Sequence, residues 1–297
     1  METVIKISEV LHEFVRDMAL KRNPEDDSQK LAGIETGFDE LDRMTSGLRR
    51  GSLIVIASRP SMGKTTLALN IASHMVLNSK LPALMFRLEC SAIEMAMRLI
   101  SQVGNIETQK LQTGVLDEFD HEAVNAAIVK MQGLPLYIDE SPAQTVDEII
   151  SACHEVRARN GELGLVVIDD LQSIGATNRE NRGAEGKEEV MSFLKTLALE
   201  VDAPVILLSQ LEPHLEERAV KRPQISDLPE RIIAQWSDLL LFLYRDQLYN
   251  PDSKDEGKVE VIIGRNRYGP IGTIILDAKK LCLGSFSNAC AEDYPKV

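Results

Sequence analysis

From residue 31 onward the chain alternates short apolar runs with stretches of helical periodicity. The runs at residues 53–57, 83–88, 135–138, 163–168, 205–209, 239–244, 259–263 and 273–276 read as strands, and the spacing predicts a helix from Gly63 to about Val76. Several runs are apolar at every position rather than at every second one, the pattern of strands covered on both faces. Separated by helices, they predict an α/β fold with a mostly parallel central sheet flanked by helices, the last strands forming an antiparallel edge. No repeat at a solenoid or propeller period is present.

Upstream, Val10, Leu11, Phe14, Val15 and Met18 fall at helical spacing within residues 9–22, behind Ser8 as a cap, and the pattern stops at Asn23-Pro24. Polar residues 23–30 have the composition of a tether. Two units are therefore expected: a linker helix with its tether over residues 1–30, and the main domain over 31–297. An amphipathic helix on a tether must bury its apolar stripe, either on its own domain or on a neighbouring subunit.

A length of 297 residues with 44% hydrophobic content suffices for a large core and excludes a disordered chain. The net charge of −13 argues against a general polyanion binder and confines any nucleic-acid contact to local basic loops. The longest apolar runs fall short of the roughly 20 residues of a membrane span, and the N-terminus has no signal-peptide layout. No membrane partner and a cytoplasmic location are thus expected. Cys90, Cys153, Cys282 and Cys290 lack paired or zinc-ligand spacing and read as buried reduced thiols.

The most specific chemical signal is Ser58-Arg59-Pro60-Ser61-Met62-Gly63-Lys64-Thr65-Thr66, lying between a predicted strand and a predicted helix as a phosphate-binding P-loop does. Backbone N–H groups at the helix start can cradle phosphates, Lys64 can reach the β- and γ-phosphates of ATP, and the Thr65 hydroxyl can ligate Mg²⁺. Ser58 stands where the motif usually opens with glycine. Asp169, ending the run at residues 163–168, is the candidate acidic Mg²⁺ ligand, with a strand-end cap as its bland alternative; Asp170 beside it reads as solvated. Glu89 ends the run at residues 83–88, a strand expected beside the P-loop strand, which would bring its carboxylate to the γ-phosphate; its bland alternative is a cap for the helix beginning near Ser91. Gln210, closing the run at residues 205–209, is either a γ-phosphate sensor or an ordinary loop residue. Arg265 and Arg267 precede a Gly-Pro turn as a solvated hairpin end or as arginines reaching a neighbour's nucleotide.

Taken together, these elements resemble the C-terminal, RecA-like P-loop NTPase motor domain of the DnaB family of replicative DNA helicases, over residues 33 to 286. The resemblance is carried by Gly33-Ile34-Glu35-Thr36-Gly37-Phe38-Asp39-Glu40-Leu41-Asp42, the P-loop, Leu88-Glu89, Ile168-Asp169 with Leu171-Gln172, and Ser209-Gln210-Leu211. It continues through Lys221-Arg222-Pro223 with Ser226-Asp227-Leu228, Tyr244-Arg245-Asp246, Ile263-Gly264, and Arg267-Tyr268-Gly269-Pro270-Ile271-Gly272. It implies Lys64 and Thr65 on phosphate and Mg²⁺, Glu89 as catalytic base, Asp169 on the metal side, Gln210 as sensor and Arg267 as a finger acting in trans. It further implies ATP as substrate, a homohexamer on single-stranded DNA moving 5′ to 3′, contact with a helicase loader or other replication proteins, and residues 9–22 docked on the adjacent subunit.

Departures from the family pattern also shape the expectations. Arg265 stands where the family usually has lysine. Only about thirty residues precede the motor, so a form without the family's N-terminal collar is expected, and primase recruitment by the usual route is not. After Ser226-Asp227-Leu228 the sequence reads Pro229-Glu230-Arg231-Ile232 where the family carries an Arg-Glu-Ser-Gly loop facing DNA. DNA contacts then fall to Arg218, Lys221, Arg222, Arg231, Arg179 and Arg182, each weighed against a solvated loop, and the 4% aromatic content points to a grip on the phosphate backbone. The alternatives are a non-translocating RecA-fold ATP-binding protein acting as helicase loader, decoy or inhibitor, and a recombination or clock-type RecA-like ATPase.

Overall fold

A computed structural model describes residues 31–87, 91–141, 145–171, 174, 184–278 and 286–289, with Ile7 and Leu11. Among these residues the strands are β1 (Leu53–Ser58), β2 (Ala83–Arg87), β3 (Leu136–Asp139), β4 (Leu165–Asp169), β5 (Val205–Gln210), β6 (Leu239–Tyr244), β7 (Lys258–Asn266), β8 (Gly272–Ala278) and β9 (Phe286–Asn288). They form one sheet in the order β3-β2-β4-β5-β1-β6-β7-β8-β9, parallel from β3 to β6 and antiparallel thereafter. The helices used below are α1 (Asp39–Thr45), α2 (Lys64–His74), α3 (Ala92–Gly104), α4 (Thr108–Thr113), α5 (Glu118–Met131), α6 (Val146–Asn160), α7 (Ala184–Val201) and α8 (Arg231–Trp236).

The fully apolar runs are the central strands. Ile54 and Ile56 of β1 pack with α2 on one face, and Leu53, Val55 and Ala57 pack with α7 on the other. Burying such a side chain is worth roughly 1.5–3 kcal/mol, against a strand-propensity range of about 1 kcal/mol. Cover on both faces therefore selects the central places for β1, β4, β5 and β6. In β7 buried residues alternate with half-buried ones, as suits the one-sided antiparallel edge. The structure also adds β9, whose Phe286 N–H donates to Asn70 Oδ1 on α2 at 2.8 Å.

One expectation is overturned. The P-loop strand β1 lies between β5 and β6, and β2 is separated from it by β4 and β5. Apolar runs that are all buried on both faces carry no signal of which neighbour they take, so the sequence could not order them.

Cys153 on α6 is buried, and its thiol is pushed up to about 12 by that burial. It should resist alkylation at pH 8 in the native protein and react promptly once unfolded, measured by mass spectrometry of the Cys153 peptide. Cys90, Cys282 and Cys290 lie outside the described residues. No helix among those residues is long and apolar enough to cross a membrane.

Candidate active site

The parallel strands end at one edge of the sheet, where open α/β sheets form their ligand crevices. A cleft of about 490 Å³ occupies that edge, lined by Pro60, Ser61, Gly63, Lys64, Thr65 and Thr66, and facing them Arg98, Thr108, Gln112, Asp170, Gln210, Arg245 and Phe286. The loop from β1 to α2 is shaped by Ser61 at φ +64° and Gly63 at φ +103°. A Cβ at Gly63 would also stand 2.4 Å from the Phe286 ring, so only glycine fits. Gly63 is the N-cap of α2 and has no side chain to cap it, and the first turn of that helix holds no acid, an arrangement suited to a phosphate. Lys64 Nζ lies 3.5 Å from the Ser58 carbonyl oxygen, above the loop.

Not every residue of the motif faces the cleft. Ser58 is buried, its Oγ donating to the Arg59 carbonyl at 2.7 Å, and Met62 belongs to the core. Arg59 turns toward the segment after β5, donating to Leu211 O and Glu216 Oε1, both at 2.8 Å.

Thr65 Oγ1 donates to Asp169 Oδ2 at 2.8 Å, which brings two hard oxygen ligands together beside the phosphate loop. Asp170, expected to be solvated, is instead 5% exposed and lines the cleft. Gln210 pairs in register with Ser58 and lines the same cleft. Glu89 lies outside the described residues, yet the capping role weighed against its catalytic one is filled by another residue. Ser91 Oγ accepts from Glu94 N–H at 3.2 Å, and Glu94 Oε2 accepts from Ser91 N–H at 2.6 Å, a complete capping box for α3.

Two cleft arginines had no role in the sequence reading. Arg98 comes from α3, in no recognisable motif. Arg245 follows β6 directly; burial pushes it below the ordinary arginine value, and its Nε has no hydrogen-bond partner among the described residues. A charge ending a strand of six buried residues is the signal that could have singled it out.

Arg265 and Arg267 lie at the opposite edge. Arg265 Nη1 donates to the Ala234 carbonyl, and Arg267 N–H donates to Asp238 O, beside the start of β6. The Asp238 carboxylate also accepts from Leu53 N–H, the first residue of β1. At about 3.3 Å per residue, β1 puts some 17 Å between that level and the start of the phosphate loop. Arg267 is therefore beyond one side chain's reach of the cleft of its own subunit.

The candidate DNA-contacting residues divide. Arg218 is paired at 2.8 Å with the buried Asp227, Arg222 grips Glu260 with two nitrogens, and Lys221 donates to Glu216 O. Arg231 is exposed at the start of α8, and Arg179 and Arg182 lie outside the described residues.

Residues 33–286 match the family described as DnaB-like helicase C terminal domain. The replicative DNA helicase DnaB of Geobacillus stearothermophilus is 43% identical over 250 residues, covering 83% of this chain and 55% of that protein. The chain thus spans about half the length of the curated relatives it matches. Among solved structures, one determined as an ATPase domain superposes with a TM-score of 0.89 at 33% identity, covering 96% of this chain and 99% of that one. A DnaB-like replicative helicase solved for its interactions with primase gives 0.85 at 33% identity, covering 96% and 67%. The fold is accordingly that of the RecA-like P-loop NTPases, and with 254 of its residues matched the chain belongs to the DnaB-like helicase C-terminal domain family.

Proposed function

We propose that this chain is the motor of a DnaB-type helicase, hydrolysing ATP at subunit interfaces to translocate on single-stranded DNA and separate a duplex. The observation that carries the reading is the division of the site between opposite edges of the sheet. The crevice holds a phosphate loop, a Thr65–Asp169 oxygen pair and Gln210, while Arg267 is too distant to serve it. Arg98 and Arg245 line the cleft from the same subunit, and Arg267, presented at the opposite edge, would reach the cleft of a second copy of the chain rather than its own.

Thr65 and Asp169 would hold Mg²⁺, which would neutralise charge on the β- and γ-phosphates. The α2 N-terminus and Lys64 would bind and orient the phosphates, Gln210 would register the γ-phosphate, and Glu89 would accept the proton of the attacking water. Arg267 of the adjacent subunit would meet charge developing in the transition state, coupling each hydrolysis to movement between subunits. Residues 9–22 would dock on that neighbour. The described Leu11 of this stretch supports docking elsewhere than on its own domain, being helical and 55% exposed.

The test is steady-state ATP hydrolysis with and without single-stranded DNA, followed by unwinding of a forked duplex. Turnover rising several-fold with DNA is expected, with a steep salt dependence from backbone contacts. Turnover indifferent to DNA, with no unwinding, would overturn the motor reading.

A further inference from the structure

Asp238 is 2% exposed at the entry to β6 and joins three elements. Its Oδ2 accepts from Leu53 N–H at 2.9 Å and from Lys195 Nζ of α7 at 2.6 Å, and Lys195 also donates to Gly51 O at 2.8 Å. Its Oδ1 accepts from Arg267 Nη1 at 3.1 Å, and its carbonyl accepts from Arg267 N–H at 2.8 Å. Burial alone pushes the Asp238 carboxyl up; hydrogen bonds from Lys195 and Leu53, the charge of Lys195 and a hydrogen bond from Arg267 more than offset it and hold the group below the ordinary carboxylate value.

The pair is asymmetric. The Asp238 side chain is 3% exposed, whereas that of Arg267 is 59% exposed. Lys195 and the Leu53 amide fix the carboxylate, so the arginine end alone is open to a visitor. The contact engages one Nη1 of a guanidinium that has five N–H donors, leaving the outer edge of the fork to face a phosphate. The hairpin backbone is held by other means. A bulge at Gly264 shifts the β6–β7 register, and Asn266 Nδ2 donates to Met44 O and Pro270 O at 3.3 and 3.1 Å. Tyr268 lies under the Arg49 guanidinium at 4.2 Å. These contacts fix where the chain runs; the Arg267 guanidinium lies over the Tyr268 ring at 5.7 Å, and Asp238 supplies the hydrogen-bonded anchor that sets where it points.

We infer that Asp238 is a positioning residue for the arginine that one subunit supplies to its neighbour. This rests on the reading of Arg267 as a finger in trans. A long side chain loses rotamer freedom when it engages a phosphate, and holding it beforehand removes that loss from the reaction.

Rings mixed from two inactive variants provide the test. Lys64→Ala subunits supply an intact finger, Arg267→Ala subunits supply an intact phosphate loop, and their mixture should regain turnover. Asp238→Asn placed on the finger-donating Lys64→Ala subunit is expected to cut the regained turnover about ten-fold or more, with KM for ATP within about two-fold. The same substitution placed on the Arg267→Ala subunit, which donates no finger, should leave it within about two-fold. A merely structural role would lower both mixtures alike, and that result, or no loss in either, would overturn the inference. If Asp238→Asn prevents ring assembly, Asp238→Glu, which keeps a charge for Lys195 but displaces the carboxylate by one methylene, gives the same comparison. Absence of regained turnover before Asp238 is altered would instead sink the trans reading of Arg267.

Discussion

Arg267→Ala is expected to reduce the ATP turnover number by about 10³–10⁵-fold, the range found for loss of an arginine finger, while nucleotide affinity stays within about two-fold of wild type. The reason is spatial. Arg267 lies at the start of β6 and β1, and the phosphate loop leaves the far end of β1, so the substitution leaves its own subunit's cleft intact. What would be lost, if Arg267 acts in trans, is a charge that meets the neighbour's phosphate as negative charge builds up, an interaction made in the transition state and not in the ground state. Stability should change little, because an ion pair with one partner 59% exposed contributes at most about 1 kcal/mol. Turnover together with fluorescent-nucleotide binding and a thermal melt tests all three statements.

Lys64→Ala is expected to lower turnover by at least about 10²–10³-fold, the cost of removing one preorganised charge from a phosphoryl-transfer site. It should also weaken nucleotide binding, because on the proposed reading Lys64 would touch phosphate in the ground state as well. The fold should not suffer. Lys64 is the first residue of α2, a cation at the positive end of a helix, where like charge costs roughly 0.3–1 kcal/mol. The melting temperature of the variant without nucleotide is accordingly expected to match or slightly exceed that of wild type, an instance of stability given up for function. A large fall in melting temperature would show that the lysine holds the loop together rather than serving the substrate.

The contrast between these variants reflects what the sequence made legible. The phosphate loop could be read directly because its residues are contiguous and its strand and helix flank it; its turn needs glycine at position 63 and its helix start needs no acid. The strands could be read because β1, β4, β5 and β6 are continuously apolar up to their last one or two residues, and the polar residues ending β4 and β5, Asp169 and Gln210, marked the crevice. The order of the strands could not be read, since two-sided burial makes any of them an acceptable neighbour, and β2 was wrongly expected beside β1. Asp170 was expected in solvent and Arg245 given no role, because the burial of a residue just past a strand depends on what packs around it, which the local sequence does not record. Asp238 was invisible for the same reason. An aspartate before an apolar strand looks like a solvated strand entry until Lys195, Leu53 and Arg267, distant in sequence, close around it.

The central claim is that the catalytic site is divided between two copies of this chain. Its most direct measurement is the turnover of a one-to-one mixture of Lys64→Ala and Arg267→Ala subunits, exchanged and reassembled, against each variant alone. If Arg267 acts in trans, random mixing creates interfaces with an intact loop facing an intact finger at about a quarter of positions. Turnover should then rise from near zero toward that fraction of wild type. A mixture as inactive as its components, in rings shown to contain both subunits, would contradict the account.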